Sequence, residues 1–192
     1  CPKFLSPAMN TAMYENPIVQ DNLKILKKYG YEVITPASGY LACGDTGSGK
    51  MPEPETLYQY IEKELAGPKD LTGKKVLVTA GPTQENIDPV RYITNHSSGK
   101  MGYAVAKAAM LRGAEVTLVS GQTALTPPMF VDYVQITTAE EMYQAVTSRS
   151  DEQDIIIKAA AVADYRPKTV YENKVKKKEG QMTIELERTR DI

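Results

Sequence analysis

The alternation of short apolar runs with helical patterns between residues 74 and 160 most constrains the fold of this chain. Strand patterns occupy residues 75–80, 115–120, 131–136 and 154–160, and helical patterns occupy residues 98–113 and 138–148. Strands separated by helices of this length form βαβ units, which build a parallel sheet with right-handed crossovers. We therefore predict a doubly wound α/β fold. Ligands should bind outside the carboxyl ends of its strands, where the loops after Ala80, Gly121 and Ala160 share one crevice.

The composition excludes several function classes. The chain has 192 residues, 42% of them hydrophobic, which is enough for a packed core. A net charge of −1 offers no basic field for nucleic acid, and no apolar run approaches the ~20 residues that cross a bilayer. Two cysteines make no disulfide framework, and no charged n-region with an apolar h-region in these residues marks a secretory signal. A small-molecule ligand and a cytoplasmic location are expected.

The first third of the chain has a separate pattern. Residues 4–5 and 32–35 are predicted strands, 16–29 and 54–65 are predicted helices, and 39–49 is predicted as a glycine-rich loop. The turn-rich stretch after residue 66 indicates a linker, so the predicted domains are 1–66 and 74–192, joined by 67–73. The chain starts at Cys1 without a methionine and stops after an apparent strand at 182–187. We expect it to be part of a longer protein.

A long loop precedes the predicted helix at residue 98 and favours a phosphorylated ligand. It carries polar side chains, and the helix then opens on small residues whose free backbone N–H groups are the arrangement that binds phosphate. The alternative is a surface loop capped by Ser98. A dinucleotide fingerprint fits poorly, because Gly81 is followed by Pro82 and no G-x-G-x-x-G occurs. The candidate residues of the loop and helix start are Asp88, Arg91, Asn95, Ser97, Ser98, Gly99 and Gly102.

Two later features are open to two interpretations each. Asp164 follows a buried-type strand, where a carboxylate can hold Mg²⁺ beside nucleotide phosphates or can simply cap a turn. The basic run Lys174 to Lys178 is typical of a solvated charged segment. Its functional interpretation is a flap that closes a lysine onto a triphosphate.

Three motifs in this half resemble a known family. They are Ile87-Asp-Pro-Val-Arg-Tyr-Ile-Thr-Asn-His-Ser-Ser-Gly-Lys-Met-Gly102, Ala159-Ala-Ala-Val-Ala-Asp-Tyr-Arg-Pro167 and Lys174-Val-Lys-Lys177. Together they resemble the phosphopantothenate–cysteine ligase domain of coenzyme A biosynthesis, a Rossmann-like domain. The resemblance implies that CTP activates the carboxylate of 4′-phosphopantothenate as an acyl-cytidylate, which cysteine then converts to an amide.

The resemblance also implies roles for individual residues. Asn95 contacts the acyl-nucleotidyl intermediate, Arg91 and Ser97 bind substrate or triphosphate, and Lys174 is the catalytic flap lysine. Asp164 contacts nucleotide or Mg²⁺. The nucleotide site is expected to comprise Ser97, Gly99, Gly102, Lys158, Ala159, Ala160, Asp164, Lys174, Asp191 and Ile192. Thr189-Arg190 departs from the Asn-Pro pair that usually precedes the last two residues.

Two motifs in the first third permit plain structural interpretations. In Pro7-Ala-Met-Asn-Thr-Ala-Met13, Asn10 follows a strand and can bond a ligand or cap a helix. Gly39-Tyr-Leu-Ala-Cys-Gly-Asp-Thr-Gly-Ser-Gly-Lys-Met51 describes a flexible loop with a thiol. A cysteine in such a loop can donate a proton to a reacting carbon, whereas a buried structural cysteine has no such role.

Both motifs resemble the C-terminal part of the phosphopantothenoylcysteine decarboxylase domain, a flavodoxin-like FMN protein often fused ahead of the ligase. The resemblance implies that Asn10 binds the substrate carboxylate and that Cys43 reprotonates the enethiol. It also places a catalytic histidine and most FMN contacts upstream, and His96 lies inside the ligase motif, so this chain alone is not expected to decarboxylate. Homo-oligomers are implied as well, dimers for the ligase and trimers or larger shells for the decarboxylase.

Two other function classes compete with this interpretation. A nicotinamide-dependent oxidoreductase shares the fold class, but it needs a glycine fingerprint and an acid after the second strand, and Leu118-Val-Ser-Gly121 has no acid. A non-catalytic flavoprotein subunit would show no CTP turnover and would tolerate loss of Asn95 and Lys174.

Overall fold

In the computed structural model, which describes residues 1–176 and 181–192, the chain divides into two units, Cys1–Leu65 and Ala66–Ile192. The elements of the first unit are β1 (Lys3–Leu5), α1 (Thr11–Tyr14), α2 (Pro17–Lys28), β2 (Tyr31–Val33), β3 (Ala37–Tyr40), β4 (Thr46–Lys50) and α3 (Pro54–Leu65). Strands β1 and β2 pair in parallel, with Phe4 opposite Glu32. Helix α2 connects them, and it begins where the side chain of Asn16 accepts a hydrogen bond from the N–H of Ile18.

The predicted glycine-rich loop at 39–49 is instead an antiparallel hairpin of β3 and β4. Its register shifts between Ala37 and Ser38, so that Gly49 has no opposing residue and forms a bulge. Gly49 has a φ of 118°, and the N–H of Met9 donates to its carbonyl. Glycine is depleted in strands, which is why the sequence pattern predicted a loop here. The contact with the chain around Met9 stabilises the strand.

The second unit is built on a four-stranded parallel sheet in the order β10-β5-β8-β9. The chain runs outward from β5 to β8 and β9 and then returns to the other side of β5, so the direction of winding reverses between β5 and β10. The elements here are β5 (Lys75–Ala80), β6 (Gln84–Asn86), β7 (Tyr92–Thr94), α4 (Lys100–Leu111), β8 (Glu115–Ser120), β9 (Asp132–Gln135), α5 (Ala139–Thr147), β10 (Ile155–Lys158), β11 (Tyr165–Pro167) and β12 (Leu186–Arg188).

Helices cover both faces of this sheet. Alternate residues of a strand point to opposite faces, and the two hydrophobic clusters divide accordingly. Val76 and Val78 pack with α4, while Leu77 packs with Met142 of α5. The predicted α/β fold with a parallel sheet is therefore confirmed. Helix α5 begins at the predicted capping box, in which Thr138 and Glu141 bond each other's backbone N–H groups.

Three predictions for the second unit need correction. The loop at 81–97 contains a short hairpin of β6 and β7, closed by a hydrogen bond from the N–H of Ile87 to the carbonyl of Arg91. The last strand is β12, later than the predicted 182–187, and it pairs with β11, which the sequence pattern missed. The stretch predicted as a linker belongs to the second unit, because Asp70 pairs with Arg112 at the end of α4.

No helix within the described residues is both long enough and apolar enough to cross a bilayer.

Gly102 sets the distance between α4 and β5. A Cβ at this position would lie 2.5 Å from the Cβ of Ala80 and 2.9 Å from the carbonyl oxygen of Thr79. The first turn of α4 therefore lies directly against the carboxyl end of the central strand, and only glycine permits this approach. The burial of Gly102 reflects this packing.

We expect Gly102→Ala to destabilise the fold. Alanine gains ~1 kcal/mol in helix propensity, but overpacking costs ~1–3 kcal/mol, so a net loss of up to about 2 kcal/mol in the free energy of unfolding is expected. Urea denaturation measures it. The matched control is Gly67→Ala, because nothing lies within 4 Å of a Cβ at that position. Equal stability of the two variants would show that the α4–β5 contact is not tight.

Candidate functional site

The loops after β5 and β10 are joined backbone to backbone at the carboxyl edge of the sheet. The N–H of Ala161 donates to the carbonyl of Gly81 at 2.9 Å, and the N–H of Thr83 donates to the carbonyl of Ala161 at 3.2 Å. Pro82 and Ala161 form an isolated parallel bridge. This is the switch point between β5 and β10, where open parallel sheets bind ligands. The predicted meeting of the loops after Ala80 and Ala160 is confirmed.

Two buried threonine hydroxyls fix the shape of the loop after β10. The Oγ1 of Thr79, on β5, accepts hydrogen bonds from the N–H groups of Ala159 and Ala160, each at 3.2 Å. The Oγ1 of Thr83 accepts from the N–H of Ala163 at 3.0 Å. Sequence reasoning missed both residues. The available signal was the hydroxyl of Thr79 near the end of an otherwise aliphatic strand, since a buried hydroxyl needs a hydrogen-bond partner.

Asn95 lies where these loops meet. Its Nδ2 donates to the carbonyls of Ala161 and Val162, each at 3.2 Å. The two bonds use both N–H groups of the amide and fix its orientation. Asn95 is nevertheless exposed. The structure thus connects two of the three sequence motifs through this side chain.

A cavity of about 360 Å³ opens beside the same loop. It is lined by Thr79, Lys158, Ala160, Val162, Ala163, Asp164, Thr189, Arg190, Asp191 and Ile192. Five of the residues predicted for the nucleotide site are among them, namely Lys158, Ala160, Asp164, Asp191 and Ile192. Ala159 lies beside the cavity through its bond to Thr79. The structure does not place Ser97, Gly99, Gly102 or Lys174 in the cavity lining.

The last residues of the chain form one wall of this cavity. The N–H of Thr189 donates to the carbonyl of Asp164 at 2.9 Å, and the Nζ of Lys158 donates to the carbonyl of Ile192 at 2.5 Å. Arg190 lies over the ring of Tyr143, 5.3 Å from its centroid. The Thr189-Arg190 pair, which departs from the usual motif, is therefore integrated into the wall through backbone bonds and stacking.

The start of α4 shows features of both interpretations that the sequence left open, an anion site and a loop capped by Ser98. Gly99 is the N-cap, and it has no side chain of its own to cap the helix. The Oγ of Ser97 accepts from the N–H of Gly99 at 3.4 Å, and the Oγ of Ser98 accepts from the N–H of Lys100 at 3.5 Å. Both bonds are long. Helix N-termini of this kind attract anions through the helix dipole.

Arg91 has a different partner from the one we expected. Its Nε and Nη2 donate to the Oδ2 of Asp88, a residue of the same loop with a side chain 0% exposed. The Asp88 carboxylate therefore occupies guanidinium N–H groups that we expected to bind a ligand. The Arg91 guanidinium holds the pKa of the Asp88 carboxyl well below its usual range, against the opposing effect of burial. Hydrogen bonds from the N–H groups of Val90, Val175 and Arg91 lower it further.

Lys174 is exposed on the segment that follows β11. Its neighbour Val175 is attached to the Asp88–Arg91 pair, which brings the third motif to the first one. Of the predicted basic run, Lys177 and Lys178 lie outside the described residues.

Few of the described side chains are placed to bind a metal ion. Within residues 1–176 and 181–192, no group of three or more His, Cys, Asp or Glu side chains is arranged to hold an ion. Asp164 is exposed at the cavity. A single carboxylate fits Mg²⁺, which commonly binds through one or two carboxylates, water and substrate phosphates.

The candidate residues of the first unit lie at the hairpin and at α1. Asn10 caps α1, its Oδ1 accepting from the N–H of Met13 at 2.8 Å. Cys43, in the turn between β3 and β4, is exposed, and its Sγ donates to the Oδ2 of Asp45 at 3.7 Å. Asn10 and Asp45 line one open depression of about 470 Å³ with Thr11, Ala12, Glu15 and Thr46. Asp45, which sequence reasoning did not single out, thus connects the two predicted residues.

Comparison with known proteins identifies similar sequences. The bifunctional protein CoaBC of coenzyme A biosynthesis from Bacillus subtilis is 49% identical over 194 residues, and that from Vibrio vulnificus is 51% identical over 193 residues. Each alignment covers 100% of this chain and 48% of the relative. The chain therefore spans about half the length of the curated relatives it matches.

Two solved structures are also similar. The C-terminal domain of a CoaBC protein has a TM-score of 0.56 at 55% identity, over 63% of this chain and 56% of that chain. The DNA/pantothenate metabolism flavoprotein from Streptococcus pneumoniae has a TM-score of 0.56 at 27% identity, over 62% of each chain.

Two family models match the chain, one for each part. Residues 1–66 match the Flavoprotein family, and residues 71–192 match the C-terminal domain of the DNA/pantothenate metabolism flavoproteins. Since the second model covers more than half of its residues, the chain belongs to the DNA/pantothenate metabolism flavoprotein family.

Proposed function

We propose that the second unit joins 4′-phosphopantothenate to cysteine with CTP, a step of coenzyme A biosynthesis. The observation that carries the proposal is the position of Asn95, bonded to the loop after β10 beside a cavity large enough for part of a nucleotide. The names of the relatives, which place them in coenzyme A biosynthesis, support the pathway.

The proposed chemistry has two steps. A carboxylate oxygen of the substrate attacks the α-phosphorus of CTP, and pyrophosphate leaves, so that a mixed acyl-cytidylate anhydride forms. The amine of cysteine then attacks the acyl carbon, CMP leaves, and an amide results. The first step brings two anions together, so their charge must be neutralised by fixed donors and cations.

The residues of the crevice are suited to this task. Lys158 and Asp191 lie at the cavity that would hold the nucleotide, and the N–H groups at the start of α4 would receive a phosphate. Asn95 would contact the acyl-cytidylate. Its N–H groups are already bonded within the chain, which leaves its Oδ1 to accept an N–H of the attacking amine. Ser97 would bind substrate or triphosphate, and Lys174 would contact the triphosphate. Arg91 would reach these groups through its Nη1, since its Nε and Nη2 are bonded to Asp88.

Asp164 would hold Mg²⁺ together with the phosphates. Bound there, the ion would supply charge neutralisation for the leaving pyrophosphate.

The competing function classes are less well supported. The second strand of the sheet ends at Ser120 and Gly121 with no acid to bind a ribose, so a nicotinamide cofactor lacks a feature that its binding requires. The family match likewise favours neither an oxidoreductase nor a regulatory subunit. The dimeric and trimeric assemblies implied by the sequence resemblance stay predictions.

Pyrophosphate release by the intact protein tests the ligase proposal. With CTP, Mg²⁺ and 4′-phosphopantothenate, and before cysteine is added, we expect release that depends on the pantothenate, with ATP as a parallel trial. Lys174→Ala should lower the rate by ~100-fold or more, as when one charge-stabilising donor is removed. Lys168→Ala is the matched control, an exposed lysine of the same unit that pairs with Glu185. Release without the pantothenate would contradict carboxylate activation.

We further propose that the first unit contributes to the FMN-dependent decarboxylation of 4′-phospho-N-pantothenoylcysteine. Two observations favour it: the match to the Flavoprotein family and the placement of Asn10 and Asp45 in one depression with Cys43 beside it. Asn10 would bind the substrate carboxylate. FMN, when bound, would supply the two-electron oxidation of the substrate and the hydride that later reverses it. The Sγ–H of Cys43 would give the accompanying proton to a carbon of the enethiol, and the thiolate would regain a proton from water. The open depression does not enclose a flavin ring, so we assign no FMN contact to these residues.

The thiol of Cys43 can be tested by a single-atom change. A serine hydroxyl is a much weaker acid than a thiol, so Cys43→Ser in the FMN-loaded intact protein should slow formation of 4′-phosphopantetheine by ~100-fold or more. Product is measured by mass spectrometry. Cys1→Ser is the control, because Cys1 is also an exposed free thiol. Full activity of Cys43→Ser would remove Cys43 from the reaction.

A further inference from the structure

We propose that Asp88 is a positioning residue that holds the lysine-bearing segment 174–176 in place through Arg91 and the backbone of Val175. The role of the segment in binding a nucleotide rests on the proposed function. The attachment itself rests on the geometry described below.

The Asp88 carboxylate accepts five hydrogen bonds. Its Oδ1 accepts from the N–H groups of Val90 and Arg91, each at 2.9 Å, which closes a tight turn. Its Oδ2 accepts from the Nε of Arg91 at 3.1 Å and from the Nη2 of Arg91 at 2.5 Å. The fifth bond comes from the N–H of Val175 at 3.1 Å, a residue 87 positions away in the sequence. Both oxygens are therefore fully used.

The Asp88–Arg91 pair holds both backbone groups of Val175. The carboxylate accepts from its N–H, and the Nη2 of Arg91 donates to its carbonyl at 3.0 Å. A second attachment lies four residues earlier, where the N–H of Tyr171 donates to the carbonyl of Ile87 at 3.0 Å. The chain from Tyr171 to Val175 is thus attached to the turn at 87–91 in two places, and in both places through its own backbone.

The chemistry of the pair makes this attachment strong and specific. Hydrogen bonds between ionised groups are about twice as strong as neutral ones, and a carboxylate with a 0% exposed side chain has no water as an alternative partner. Asparagine at position 88 would place an amide NH2 group where a carboxylate oxygen now accepts hydrogen bonds. Donors such as the N–H of Val175 would then lose their acceptor. Since Arg91 keeps the pKa of Asp88 well below its usual range, the carboxylate stays ionised at neutral pH. The attachment should be present above the ordinary aspartate pKa of ~3.9 and weaken only as the pH falls below it.

The consequence concerns Lys174 and Lys176, which flank Val175 and are exposed. Ordering a long lysine side chain and its backbone costs free energy when a ligand binds. A backbone already fixed at Val175 reduces that cost and sets where the lysines can reach. Asp88 would therefore influence the KM for the nucleotide without contacting it.

Limited trypsin digestion tests the attachment without any activity assay. In the intact protein, Asp88→Asn should accelerate cleavage after Lys174 or Lys176 by about tenfold or more, as expected when a charge-assisted bond to the segment is lost. Asp70→Asn is the matched control, because Asp70 also pairs with an arginine, its two carboxylate oxygens accepting from the Nε and Nη2 of Arg112 at the end of α4. It should leave cleavage at these two lysines unchanged. If Asp88→Asn does not fold, Arg91→Lys replaces it, since that variant keeps the charge but loses the planar fork that bonds Val175.

A double-mutant cycle tests whether Asp88 acts through Lys174. Asp88→Asn should raise the KM for CTP about tenfold in the wild-type background and less than about twofold in the Lys174→Ala background. An equal factor in both backgrounds would overturn the inference, because Asp88 would then act by another route. Unchanged trypsin cleavage in Asp88→Asn would overturn it as well. Accelerated cleavage in a protein that releases no pyrophosphate would support the attachment and refute the ligase proposal.

Discussion

The crevice depends on how the chain leaves the carboxyl end of strand β5. Five consecutive residues of β5, Val76 to Ala80, are buried, and β10 and β8 flank it. In the loops that follow the strands, the backbone N–H and carbonyl groups no longer have the hydrogen bonds of the sheet. They need other partners, since an unpaired buried N–H or carbonyl is costly. The hydroxyls of Thr79 and Thr83 supply them to the neighbouring loop. In the part of the chain that the structure describes, no buried side-chain nitrogen or oxygen lacks a partner. The buried polar side chains behind the crevice are therefore paired within the chain itself.

Two buried carboxylates attach the loop between β5 and α4 to different parts of the unit. Glu85, 3% exposed, accepts a hydrogen bond from the N–H of Ala139 at the start of α5, where the helix dipole favours a negative charge. Asp88 attaches the next turn to residue 175. With one carboxylate bonded to a helix and the other to a distant strand connection, the loop is the fixed side of the crevice. Any adjustment to a ligand must then come from other segments.

The elements that the sequence predicted well are those with a regular hydrophobic period. β5, β8 and α3 begin and end where the patterns predicted, because aliphatic runs and helical spacing are local signals. The hairpin around Cys43 was missed because glycines at 44, 47 and 49 conceal the strand preference. The Asp88–Val175 contact joins residues that are far apart in the sequence, so no local pattern indicates it. The cavity was predicted in part, through motif residues such as Lys158 and Asp164, whereas Thr79 was hidden within a strand.

The bulge at Gly49 has a consequence for how the first unit tolerates changes in chain length. Strands rich in glycine and small polar residues specify their pairing weakly, and a slip of one residue moves every side chain to the opposite face. In the β3–β4 hairpin the bulge, held by Met9, resists such a slip. A residue inserted between Gly49 and Cys43 would rotate the thiol away from Asp45, whereas one inserted at the exposed stretch after Leu65 would leave it in place. We therefore expect related sequences to vary in length between the two units but not within the thirteen residues, 39–51, that surround the thiol.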